Sequence, residues 1–168
     1  SNRTEYSIHD LFQWIKNRTM LIHGVIDETM SRDEAFHFLN IGRCIERIDM
    51  SARMVAVRCE MDNTSFAWTT MRRSCGAYES YMKKIGDTSD TNSIIEFLLK
   101  DTQFPRSVLG TMSSALASVQ ELSDTSSLNE SDPRFALGRL CAEIEFTSVK
   151  EVHDDLMQAV VQLQDGAK

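Results

Sequence analysis

Arg43, Glu46 and Arg47 are the side chains whose types and spacing could do chemistry. They lie in Phe36 to Val57, FHFLNIGRCIERIDMSARMVAV, a helix-length stretch with charges set inside apolar residues. Arginine offers a planar fork of donors that suits carboxylate or phosphate. A glutamate among arginines can act as acid or base. Arg43 and Glu46 are three apart and can touch on a helix, whereas the neighbours Glu46 and Arg47 cannot face each other. Arg47 therefore calls for a carboxylate on another helix, with Glu96, Asp101, Glu143 and Glu145 as candidates. Two uses fit this pattern: a buried ionic network that fixes helix packing, or a clamp for an anion or a peptide carboxylate. The first is the commoner role of such groups, and a cleft beside Arg43 or Arg47 would favour the second.

A second charged cluster, Asp101, Pro105 and Arg106, falls at a turn between helices. A positive charge near a helix start opposes the helix dipole, so Arg106 is expected to make a compensating contact, with Asp101 or another acid anchoring the turn. Together with Arg53, the six residues Arg43, Glu46, Arg47, Arg53, Asp101 and Arg106 form the candidate binding or structural ionic network, and Glu46 is the one candidate acid or base. A carboxylate-bridged metal centre in a helical bundle needs two Glu-x-x-His motifs. Glu34 with His37 supplies one, and His9, His23 and His153 complete no second. No metal or cofactor is therefore expected. Neither the GxSxG pattern of a nucleophile elbow nor a glycine-rich phosphate loop occurs.

These residues must be positioned by helices. Charges apart, the central stretch is apolar on two faces: Phe38, Ile41, Ile45, Ile48, Ala52 and Val55 on one, and Phe36, Leu39, Met50, Met54 and Val57 roughly opposite, which predicts a central helix covered on both sides. Before it, Ser7 and Asp10 cap a helix carrying Ile8, Leu11, Phe12, Ile15 and Ile22, interrupted at Gly24, and Ser31 to Glu34 restart the chain as a capping box. The central helix is predicted to run to about Met61, and the next to carry Phe66, Trp68, Met71, Cys75, Tyr78, Tyr81 and Met82 as far as Gly86. A short helix opens at Asn92-Ser93, and another runs from about Arg106 to Leu122 with Pro105 in its first turn. After a polar linker, Ser123 to Ser131, Asp132-Pro133 starts a last helix with Leu137, Cys141, Ile144, Leu156, Val160 and Leu163 on its core side and a bend at Thr147-Ser148-Val149. Nothing alternates with strand period for long. The fold class is all-α, a multi-helix bundle of about six helices in one domain over residues 1–168.

Composition narrows the function classes. The 168 residues are 42% hydrophobic and 26% charged with two prolines, which is globular rather than disordered usage. A net charge of −7 disfavours broad binding to nucleic acid or to an anionic membrane. Basic pairs such as Arg72-Arg73 and Lys83-Lys84 read as solvated helix surface. Cys44, Cys59, Cys75 and Cys141 form no CxxC and no zinc spacing, so buried free thiols and a cytoplasmic location are expected. No run of about 18 apolar residues is present. The methionines, Met54, Met61, Met71, Met82, Met112 and Met157 among them, are ordinary core filler at helical spacing, with an adaptable groove as the other use.

Several ordered motifs resemble the bacterial alpha-E domain family, an all-helical family with a Glu-Arg motif. They are Asp27 to Glu34, Phe38 to Arg47, Asp49 to Arg53, Ala77-Tyr78-Glu79-Ser80-Tyr81, Glu96 to Asp101 and Phe104-Pro105-Arg106-Ser107-Val108, with Gly138-Arg139-Leu140 as a weaker echo. Two departures stand out: an earlier Gly-Arg and Glu-Arg helix usual in the family is missing, and Lys100 replaces an apolar residue. The first implies a carboxy-terminal portion of the family's length, with exposed apolar surface and self-association as expected consequences. The resemblance further implies partnership with an ATP-grasp ligase and a transglutaminase-like protein in a system that makes or modifies peptides. An accessory interaction module that binds such an enzyme or its peptide is the reading we prefer. The alternatives are an enzyme with Glu46 as acid or base and Arg43 and Arg47 clamping an anionic substrate, and a metal-binding bundle using Glu34 and His37.

Overall fold

The first helix, α1 (Ile8–Thr29), starts on a reciprocal cap. The Asp10 N–H donates to the Ser7 hydroxyl at 3.1 Å, and the Asp10 carboxylate accepts from the Ser7 N–H at 3.1 Å. Gly24 does not end it; a mid-helix glycine costs about 1 kcal/mol, and the helix continues to Thr29. The computed structural model describes residues 7–60, 65–88, 90–123, 132–148 and 151, and seven α-helices with no strand occur among them. Residues 1–36 and 37–168 form two compact units. No described helix is long and apolar enough to cross a membrane.

Helix α2 (Glu34–Glu60) takes its cap from Asp33, whose carboxylate accepts from the Phe36 N–H at 3.2 Å. Its buried seam is Cys44, Ser51, Ala52, Val55 and Ala56, while Phe38 and Ile45 are each 59% exposed. The expected stripe through Phe38 and Ile45 is therefore displaced. Small residues make up this seam, and Asn40 Nδ2 donates to Ser118 Oγ at 2.8 Å and Ser114 Oγ at 3.3 Å, which ties α2 to the serines of α6 (Val108–Leu122). Leu39, Met50 and Val57 are exposed too, so α2 is not covered on both sides.

The third predicted helix is two. Helix α3 (Ser65–Ser74) ends and α4 (Tyr78–Lys84) begins around Gly76, whose φ is +66°. The Ala77 N–H reaches the Arg72 carbonyl at 2.8 Å and the Gly76 N–H the Arg73 carbonyl at 3.0 Å, the paired closure of a Schellman turn with glycine in the left-handed position.

The core is organised around α5 (Thr91–Lys100), in which Ile94, Ile95, Phe97, Leu98 and Leu99 are all buried. Asp90 caps it by accepting from the Ser93 N–H at 2.9 Å. Trp68 and Met71 of α3, Cys75 in the turn after it and Tyr81 of α4 pack on this helix, and the Phe97 ring meets Tyr81 edge-on at 5.3 Å and Phe104 in a stack at 5.2 Å. Lys100, where the resemblance calls for an apolar residue, donates from Nζ to the carbonyls of Glu145, at 3.2 Å, and Thr147. It thereby caps the end of α7 (Pro133–Phe146), a favourable place for a cation.

Helix α6 (Val108–Leu122) starts two residues later than expected because Asp101 and Ser107 organise the preceding turn. The Asp101 carboxylate accepts from the N–H groups of Gln103 at 2.9 Å and Phe104 at 2.8 Å; Ser107 Oγ donates to the Asp101 carbonyl at 2.5 Å and accepts from the Gly110 N–H at 2.9 Å. A Cβ on Gly110 would stand 2.8 Å from Ser107 Oγ and 2.9 Å from the Phe104 carbonyl, so this turn closes only on glycine. Helix α7 (Pro133–Phe146) opens on the Asp132 cap with proline at its start, as the sequence predicts, and sets Cys141 and Ile144 against the core. It ends at the anticipated bend. Leu156, Val160 and Leu163 lie outside the described residues, as does most of the Ser123 to Ser131 linker.

Candidate functional site

The candidate residues are distributed among several local arrangements. Arg43 and Arg47 are half-buried on α2 beside the buried Cys44 and Ser51, and Glu46 is exposed. Arg53 pairs one turn back with Asp49 at 2.8 Å, in a half-exposed i,i+4 bridge that raises the guanidinium's already high pKa. Asp101 pairs with Lys84 Nζ and has only 6% of its side chain exposed, so its ionic partner is on α4. Arg106 is exposed and lies against Gly76, with Nη1 3.3 Å from where a Cβ on that glycine would sit. The turn at residues 101–107 is thus anchored by Asp101 through Lys84 and backbone donors, while Arg106 reaches the corner between α3 and α4.

That corner holds residues that sequence reasoning set aside. Arg72, read from the sequence as solvated surface, is 2% exposed. Its guanidinium lies 4.7 Å from the Tyr81 ring centroid and 5.6 Å from that of Tyr78, and Nη2 donates to Thr69 Oγ1 at 3.1 Å. Arg73 is exposed and lies 4.8 Å over the Tyr78 ring. Two tyrosines, six and nine residues beyond Arg72, were the available signal, and the turn at Gly76 folds them back over it. Burial pushes the Cys75 thiol up to about 11, with the nearby Arg106 charge pulling the other way. The Tyr81 hydroxyl is likewise raised by burial, opposed by Arg72 and reinforced by Asp90.

A third feature is an apolar groove of about 490 Å³ between α2 and α3, lined by Met54, Val57, Phe66, Ala67, Thr70 and Met71, with Arg53, Arg58 and Ser74 at its edges. The Arg58 guanidinium lies 5.5 Å from the Trp68 ring centroid. Among the described residues, no three of His, Cys, Asp and Glu stand close enough together to hold a metal ion.

The family model described as "a predicted alpha-helical domain with a conserved ER motif" matches residues 1–168, and Glu46-Arg47 is the Glu-Arg pair of this sequence. The chain belongs to the Alpha-E family. No curated protein and no solved structure gives a significant match. In this Alpha-E chain the Glu-Arg pair sits on α2, with Glu46 turned to solvent and Arg47 half-buried. Arg106, in the segment Phe104 to Val108, lies against Gly76, the residue before Ala77.

Proposed function

We propose that this Alpha-E chain is a non-catalytic helical interaction module of a peptide-making or peptide-modifying system, and that it docks an ATP-grasp ligase through α1, with a transglutaminase-like protein as a further partner. One observation carries the reading. Helix α1 has no buried residue, and Ile8, Leu11, Ile15, Ile22 and Val25, spaced by three and four residues with Arg18 completing the series, are 44–75% exposed. Phe12, Trp14 and Leu21 widen the same face and are exposed by more than half. A helix with so wide an apolar stripe is stable in water only when the stripe is covered. Aromatic anchors flanked by aliphatic residues are the usual material of a helix that docks on a partner.

The test is co-purification of the chain with an ATP-grasp ligase encoded beside it. Wild type is expected to retain the ligase, and Leu11→Lys with Ile22→Lys, folded by circular dichroism, to release it. Failure of wild type to retain the ligase, or equal retention by the α1 variant, overturns the reading. Folded Arg43→Ala and Arg47→Ala variants separate recognition from chemistry. Persistent binding with loss of peptide product in those variants would assign the Glu-Arg residues to the reaction and end the non-catalytic reading.

A further inference from the structure

Arg72, Arg73 and Arg106 gather at the corner between α3 and α4 in a chain whose net charge is −7. Among the described residues, no carboxylate lies within ion-pair distance of any of the three. A guanidinium taken out of water without an anion is costly. Arg72 recovers part of that cost by facing the rings of Tyr81 and Tyr78. Its Nε and Nη1 are nevertheless buried without a hydrogen-bond partner, and so is the Tyr81 hydroxyl. Outside this buried layer, a cavity of about 400 Å³ is lined by Arg73, Gly76, Tyr78 and Glu79, a volume within the range of ordinary ligand sites. Gly76 belongs to that lining and also carries the Arg106 guanidinium against it. The cavity is thus lined by one exposed guanidinium, Arg73, stacked on the Tyr78 ring, with a second, Arg106, against its Gly76 wall and the buried charge of Arg72 facing the same ring.

We propose that this corner binds a carboxylate side chain of an acidic peptide, with Arg73 and Arg106 as its direct partners and the Tyr78 ring holding the Arg73 guanidinium in place. Guanidinium groups recognise carboxylate and phosphate with the same fork of donors. Glu79 decides between them: on the wall of the cavity it repels a phosphate dianion more strongly than a single-charged carboxylate. Arg72 acts on the bound group as a fixed charge at longer range, since its donors do not reach the cavity surface. The site shares no residue with the α1 face and does not depend on the docking reading.

The measurement is fluorescence anisotropy of a labelled oligoglutamate peptide titrated with the whole chain at low salt, where charge-driven binding is strongest. Inorganic phosphate serves as competitor in a second arm. Saturable binding is expected, weakened by about tenfold or more in Arg73→Gln and in Arg106→Gln, as for loss of one charge-assisted contact. Arg139→Gln removes an exposed arginine of α7 and is expected to leave binding unchanged. Absence of saturable binding overturns the proposal. So does equal weakening by Arg139→Gln, which would mark nonspecific charge attraction, or displacement of the peptide by phosphate at comparable concentration, which would make the site a phosphate site. Both tested arginines are exposed, and matching thermal melts of the variants keep a change in binding distinct from a change in folding.

Discussion

Gly76 holds a φ of +66°, and the Arg106 guanidinium lies 3.3 Å from where its Cβ would be. An l-residue with a side chain is disfavoured in that conformation by about 1–2 kcal/mol, and Arg106 would have to give by a few tenths of an ångström. Since the crowding atom is the end of a flexible side chain, the backbone cost dominates. Gly76→Ala is therefore expected to lose about 1–2 kcal/mol in urea unfolding, and Gly76→Asn less, because asparagine tolerates the left-handed region better. Equal midpoints for wild type and Gly76→Ala would show that φ is not what selects glycine here. The burial of Arg72 was hard to read in advance, because adjacent arginines on a helix ordinarily mark a wet surface and outweigh the signal of two tyrosines further along the chain. Only the reversal of chain at Gly76 brings Tyr78 and Tyr81 over it. Arg106, by contrast, was recognisable as needing a compensating contact at a helix start, although nothing in its surroundings specified the α3–α4 corner instead of Asp101.

Helix caps were the most legible feature at the scale of elements. Ser7 with Asp10, Asp132 with Pro133, and the stop at Asp101 are local chemistry, written in residues three or four apart, and the helices begin or end there. The break between α3 and α4 was missed because apolar residues continue at helical spacing across Gly76. The primacy of α5 over α2 was missed as well, since which helix is enclosed depends on what packs around it, not on its own pattern. Three of the caps carry a pH signature. Hydrogen bonds from Ser7 to Asp10, from Ser93 to Asp90 and from Arg134 to Asp132 hold these carboxyls below the ordinary value of 3.8. A folded pKa below the unfolded one contributes stability that is fully present above 3.8 and is lost as pH falls through the lowered values. Urea midpoints are therefore expected to drop below pH 3.8, and Asp90→Asn to drop less steeply while keeping neutral-pH stability, since asparagine caps as well as aspartate. An Asp90→Asn acid profile as steep as wild type would remove that cap from the account.

For the whole molecule, exposed apolar surface governs association. Besides the stripe on α1, Phe66 is 80% exposed and Phe146 is 83% exposed. Soluble monomers rarely leave contiguous apolar patches larger than a few hundred Å² in water, and a net charge of −7 opposes close approach of copies only weakly once salt screens it. The isolated chain is accordingly expected to self-associate, with sedimentation velocity showing species heavier than a monomer as concentration rises. Salt at physiological strength should strengthen this association, because screening weakens the repulsion and leaves the apolar attraction intact. If α1 is the surface responsible, Leu11→Lys with Ile22→Lys restores the monomer, whereas Phe146→Lys on α7 does not. Adding the ligase should also dissolve the assembly, since one face cannot serve two occupants. A chain that stays monomeric at every concentration would separate the two uses of the face, leaving it open for the ligase alone. Assemblies that persist in the α1 variant would move the contact to another surface, and the ligase should then bind without disturbing them.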